Sequence, residues 1–268
     1  MLKKFDVSLN PRLNYGINRY HHLIKTRGIK MYSGTLDYQD GDATLEAYIA
    51  YDDSTPGPKP TVLIGHDWTG RRDVATGKAD EMAALGYVGI ALDMYGKGVF
   101  GKDDDVEYNS SLMGPFATDR KLLRARVNAA LTLSKGLDYV DNNKIAAMGY
   151  CFGGMCVLEL ARAGADVLGV ISVHGIFSPG DVPNERITAK VLCLHGHDDP
   201  MVPPEQVLDL ETEMTKASVD WQVHAYGGTT HAFTNPGANN PDFGTVFNAA
   251  ANQRATQSIK NFLAELFD

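Results

Sequence analysis

Cysteine is scarce in this 268-residue chain, and its three residues, Cys151, Cys156 and Cys193, are odd in number with no C-x-x-C pair among them. That pattern argues against a disulfide framework and a thiolate zinc site, and it fits a reducing cytoplasm. Basic charge is short as well: 25 Lys and Arg against 33 Asp and Glu leave a formal net charge of −8. A chain this acidic lacks the positive face that draws nucleic acid or anionic membranes. Long apolar runs are missing too. None approaches the roughly 18 residues of a membrane-spanning helix, and the first 30 residues carry no apolar stretch of the secretory kind. The expectation is a cytoplasmic protein with small-molecule partners, no nucleic acid, no membrane and no cofactor.

Hydrophobic residues make up 44% of the chain, enough for a large core in one α/β domain. Residues 1–30 are locally basic through Lys3, Lys4, Arg12, Arg19, Lys25 and Arg27, without helical or strand periodicity, and read as an N-terminal extension to a single domain over 31–268. Within that domain, Thr35–Tyr38 and Ala43–Tyr51 read as a hairpin joined across Gln39–Asp42. Strand and helix then alternate. Strands are expected at 61–65, 87–92, 144–148, 167–173, 190–194 and 220–226, with helices at 73–85, 118–134, 154–165, 204–216 and 245–267. Near-continuous apolar strands between helices imply a mostly parallel sheet covered on both faces, with function beyond the carboxyl ends of the strands. The stretch Met94 to Pro115 reads as a long irregular loop after a strand, a candidate lid.

The sharpest signal is Gly149-Tyr150-Cys151-Phe152-Gly153-Gly154, where an apolar strand runs into a helix. Glycines at that spacing leave room for a tight strand-to-helix turn that lifts a nucleophile above the sheet. The residue between them is a cysteine, whose thiolate attacks carbonyls well and is favoured by the helix N-terminus behind it. A buried core cysteine beside a Gly-rich turn is the plainer alternative, and the frame of glycines weighs against it.

A cysteine nucleophile needs a base and an acid to orient it, each expected after a later strand. The strand ending at Leu194 is followed by His195-Gly196-His197-Asp198-Asp199-Pro200, and the strand ending at Tyr226 by Gly227-Gly228-Thr229-Thr230-His231. His231 would take and return the proton, and one of the two aspartates would fix its tautomer. The oxyanion donors would be the backbone N–H groups of Phe152 and of Trp68, in the loop after the first parallel strand. Trp68, Tyr95, Phe116 and Phe152 are placed to line an acyl pocket or simply to pack.

Together Gly149 to Gly154, Asp199-Pro200-Met201-Val202-Pro203 and His231-Ala232-Phe233 resemble the dienelactone hydrolase family of α/β-hydrolases, over about Ser33 to Phe267. The resemblance implies an α/β-hydrolase fold and a carboxymethylenebutenolidase-like ester or lactone hydrolase. It also implies a Cys151, Asp199, His231 triad, since the family's acid stands four residues before the Pro of its D-x-x-V-P loop. The family's first-loop glutamate, held to keep the resting thiol protonated, corresponds to Asp67. Its two carboxylate-gripping arginines correspond to Lys97, in the frame Asp93-Met94-Tyr95, and to Asn235. Asp67, Tyr95 and Lys97 are the expected substrate-binding residues. Two other readings stay open: a non-catalytic small-acid binder or thiol sensor using Cys151, and a metallohydrolase in which His195, His197 and Asp199 gather a divalent ion.

Overall fold

The computed structural model describes residues 25, 26, 29–103 and 105–268. The expected extension over 1–30 lies mostly outside them. The short strand β1 (Lys25–Thr26) pairs with β2 (Ile29–Asp40), which forms a long antiparallel hairpin with β3 (Ala43–Asp52). Then follow β4 (Lys59–Gly65), α1 (Asp73–Ala84), β5 (Val88–Ala91), α2 (Val106–Thr118), α3 (Arg120–Lys135) and β6 (Val140–Tyr150). The remainder is α4 (Phe152–Arg162), β7 (Gly169–Val173), β8 (Lys190–Gly196), α5 (Pro204–Lys216), β9 (Trp221–Tyr226), the small pair β10 (Asn239–Asn240) and β11 (Thr245–Val246), and α6 (Ala249–Phe267).

Nine strands form one sheet in the order β1-β2-β3-β5-β4-β6-β7-β8-β9. The pairings from β1 through β5 are antiparallel; from β5 across β4 to β9 every pairing is parallel. Strand order reverses around β4, with β5 on one side and β6 on the other, and this opens a crevice at the carboxyl ends of β4 and β6. Successive side chains point to opposite faces. Leu63, Ala147, Val170 and Val191 therefore pack with α3, α4 and α5, while Val62, Ile64, Met148, Ile171 and Leu192 pack with α1 and α6. Both faces are dry, which is why the strands read as apolar runs instead of alternating ones. No helix among the described residues is long and apolar enough to cross a membrane.

Two departures from the sequence expectation concern the site. The supposed irregular stretch 94–115 contains most of α2, whose Asn, Ser, Gly and Pro content disfavours helix. Tertiary anchors override that propensity. Asp105 caps the helix on Tyr108 N–H (3.0 Å), and the fully buried Asn109 bonds both Lys102 N (2.8 Å) and Lys102 O (2.6 Å). The final helix begins at Ala249, not at residue 245, because Asn248 caps it on Ala251 N–H (3.1 Å) while Thr245 and Val246 pair as β11.

Candidate active site

β6 ends at Tyr150 and α4 begins at Phe152, so Cys151 alone makes the turn, with φ 55° and ψ −115°. A non-glycine residue pays for such backbone angles and holds them only where its surroundings dictate them. Here they do. A Cβ on Gly149 would lie 2.0 Å from the Gly153 carbonyl oxygen, and one on Gly153 would lie 2.2 Å from that of Gly65 at the end of β4. Strand, turn and helix thus pack backbone against backbone. Cys151 N–H donates to Val173 O (3.1 Å), and its own carbonyl accepts from Gly154 N–H (3.0 Å). The thiol sits half-buried at the crevice.

The loop after β8 carries Asp198 and Asp199 in different settings. Asp198 is exposed and accepts from Thr229 N–H (3.1 Å), bracing one loop against the next. Asp199 is buried; its Oδ1 accepts from Met201 N–H (2.8 Å) and its Oδ2 from His231 Nδ1 (2.7 Å). A carboxylate only accepts, so Nδ1 of His231 carries the proton and Nε2 has no hydrogen-bond partner among the described residues. Burial alone would lower the His231 pKa. The negative charge of a Cys151 thiolate, followed by the bond to Asp199, outweighs it and pushes the value up to about 10. The backbone of His231 is tied on both sides, N–H to Gly244 O (2.9 Å) and carbonyl to Val246 N–H (3.2 Å).

Beyond β4 the loop Gly65 to Gly70 faces the elbow. The N–H groups of Phe152, at the first position of α4, and of Trp68 have no hydrogen-bond partner among the described residues. Asp67 Oδ1 accepts from Thr69 N–H (2.8 Å) and Oγ1 (2.6 Å), so this carboxylate shapes its own loop. Tyr95 stacks on Phe152 (5.7 Å, 16°) and donates its hydroxyl to Trp68 O (3.0 Å). Lys97 is not brought into this group. Its ammonium is 2.6 Å from Asp37 and 3.8 Å from Glu46, on the antiparallel hairpin.

His174 and Phe243 border the site although no sequence motif marks them. His174 packs edge-on against His231 (5.1 Å), and burial, then the neighbouring His231, hold it well below the usual histidine range and hence neutral. Phe243, from the loop after His231, stacks on Trp68 (5.8 Å, 21°) across the crevice. No local pattern marks that aromatic in a run of Asn, Pro and Gly. His195 is buried against Phe177 while His197 is exposed, so the H-x-H-x-D triplet does not converge, and no cluster of three metal-ligating side chains occurs among the described residues. A cavity of about 470 Å³ between the 177–184 loop and α5 is lined by none of Cys151, Asp199 and His231. Cys156 and Cys193 are fully buried, and burial pushes the Cys193 thiol up to about 12.

The dienelactone hydrolase family model matches residues 45–267. Among solved structures, a dienelactone hydrolase-like promiscuous phosphotriesterase from metagenomic libraries, P91, is 34% identical with a TM-score of 0.81, covering 89% of this chain and 99% of its own. A structure described as m3DLH is 32% identical with a TM-score of 0.84 over the same shares. A Yersinia pestis relative, provisionally named a carboxymethylenebutenolidase, is 25% identical over 259 residues, 91% of each chain. With the family model matching from within β3 to the end of α6 and the fold shared at these identities, the chain belongs to the dienelactone hydrolase family of α/β-hydrolases.

Proposed function

We propose that the protein hydrolyses a small carboxylic ester or lactone through a thioester on Cys151. One observation carries the reading: the strained elbow cysteine lies within electrostatic reach of an imidazole whose far nitrogen is bonded to a buried carboxylate at 2.7 Å. The Cys151 thiolate attacks the substrate carbonyl, and the oxyanion formed is met by the Phe152 and Trp68 N–H groups. His231 protonates the departing alkoxide oxygen as the carbon–oxygen bond breaks, leaving the acyl group on sulfur. The neutral imidazole then takes a proton from water, whose oxygen attacks the thioester; collapse releases the carboxylic acid and restores the thiolate and imidazolium. Asp199 keeps the proton on Nδ1 and stabilises the imidazolium.

Phe116 and Phe152 are buried behind Tyr95, and the half-buried rings of Trp68 and Tyr95 favour a compact acyl group held by ring contacts. Lys97, ion-paired on the hairpin, and Asp67, bonded within its own loop, are assigned structural roles in this reading instead of substrate contacts. Phosphotriester hydrolysis is a second reading, favoured by the 34% identity to P91; a phosphoryl oxygen would use the same two N–H donors.

Cys151→Ala is expected to lower turnover of a short-chain activated ester by at least about 10⁴-fold, with Cys156→Ala retaining activity and a strong chelator changing neither protein. Turnover surviving in Cys151→Ala would sink the thioester mechanism.

A further inference from the structure

His66 is 1% exposed, immediately follows β4, and bonds the carbonyl of the peptide that carries the Trp68 N–H. Its ring lies edge-on to Tyr95 (4.9 Å) and 5.9 Å from the Phe152 ring. Its two nitrogens have partners whose chemistry fixes the tautomer. Met94 N–H, which can only donate, is 3.2 Å from Nε2; the Asp67 carbonyl oxygen, which can only accept, is 2.6 Å from Nδ1. The proton is therefore on Nδ1, and it is directed at the carbonyl of the Asp67–Trp68 peptide. In a planar trans peptide the C=O and N–H point in opposite directions. A carbonyl drawn inward to His66, with Gly70 N–H as a second donor at 3.2 Å, aims the Trp68 N–H outward. Donation to a peptide oxygen also polarises the amide, making its N–H the stronger donor. Burial lowers the His66 pKa, which keeps the ring in the neutral form this arrangement requires.

We infer that His66 is a positioning residue for the reaction: its Nδ1–H holds and polarises the Asp67–Trp68 peptide, one of the two whose N–H groups receive the oxyanion. The inference rests on the proposed role of Trp68 N–H. The next peptide is fixed in the same manner, through Tyr95 hydroxyl to Trp68 O (3.0 Å), and the one after it through Gly101 N–H to Thr69 O (2.8 Å). The Trp68 and Thr69 carbonyls are thus held from the segment that follows β5, and the Asp67 carbonyl from within the loop after β4.

Two isosteres separate positioning from packing. In His66→Asn the side-chain amide lies near the position of Nδ1 and can keep a donor on Asp67 O; in His66→Gln it reaches instead towards the position of Nε2 and Met94. We expect kcat for an activated ester to fall about 10- to 100-fold in His66→Gln with KM little changed, below the 10²–10³ of deleting a donor outright, and His66→Asn to recover much of it. Alkylation of Cys151 by iodoacetamide, which builds no oxyanion, should proceed at the wild-type rate in both. A wild-type kcat in His66→Gln, or equal losses in both variants accompanied by slowed alkylation, would overturn the inference. Should the variants not fold, 15N spectra of the wild type decide: a protonated Nδ1 hydrogen-bonded to the Asp67 carbonyl supports it, and a protonated Nε2 overturns it. A wild type that turns over ester without acylating Cys151 overturns the thioester mechanism and this inference together, whereas an acylating enzyme indifferent to His66→Gln overturns this inference alone.

Discussion

Asp198 and Asp199 are adjacent and chemically identical, and direction and burial separate them. Asp199→Asn keeps the shape but can reverse the tautomer of His231, turning the wrong nitrogen to Cys151. A loss of about 10⁴ in kcat is expected by analogy with other triads. Asp198→Asn loses only a loop brace and should stay within about tenfold. Steady-state kinetics on the pair checks both, and equal losses would leave Asp199 without a special role. His231 offers a second test at this scale. Its folded-state pKa is raised from 6.5 to about 10, so the fold favours the imidazolium; that contribution is complete below pH 6.5 and lost as pH rises through about 10. The pH–rate profile should accordingly fall on its alkaline side near pH 10 as the leaving-group acid disappears. Removing the thiolate removes the largest raising influence. In Cys151→Ala the His231 imidazole should therefore titrate lower than in wild type by NMR, and an unchanged value would separate the two side chains.

At the scale of elements, the elbow depends on glycines at 149 and 153 for want of space. Gly153→Ala would press a Cβ onto the Gly65 carbonyl, and a loss of at least about 1–3 kcal/mol in denaturant unfolding is expected. A buried ionic network steadies the loop behind the site: Arg162 Nη1 meets Glu159 Oε1 (3.0 Å), Arg124 Nε meets Glu159 Oε2 (2.8 Å), and Arg162 Nη2 also donates to Phe177 O (2.9 Å). Glu159→Gln leaves the Arg124 guanidinium without its carboxylate while Arg162 keeps Glu213 (2.7 Å), for an expected cost of about 3–5 kcal/mol; a midpoint unmoved in urea would deny the network that weight. These elements also show what a sequence can and cannot display. Gly149 to Gly154 was legible because steric exclusion writes itself as glycine, and the parallel strands because burial on both faces writes itself as apolar runs. Helix α2 was hidden, since Asn109 and Asp105 hold it through partners its own residues do not announce. The Trp68–Phe243 stack and the Lys97 ion pairs were equally hidden, because each depends on which distant strands and loops the topology sets side by side.

For the molecule as a whole, the sheet order gathers loops far apart in sequence at one crevice. The turn after β6, the loop after β8, the loop after β9 and the donor loop after β4 all emerge from the carboxyl edge. The β10–β11 loop ties them. Gly244 accepts from His231 N–H, its backbone lies close to Pro200 of the acid loop, and its neighbour Phe243 reaches Trp68. The chain as a whole carries a net charge of −8, and the cation of Lys97 is occupied. An anionic lactone is therefore repelled at long range: its kcat/KM should rise with added salt while that of a neutral ester stays flat. A fall with salt would indicate a cationic recruiting site. The most direct test of Cys151 as the nucleophile is peptide mass mapping of wild type quenched in acid during turnover of an activated acetate ester. An acetyl group on the peptide bearing Cys151, missing from Cys151→Ala, is the expected result; steady turnover with that peptide unmodified, matched by an active Cys151→Ala, would contradict it.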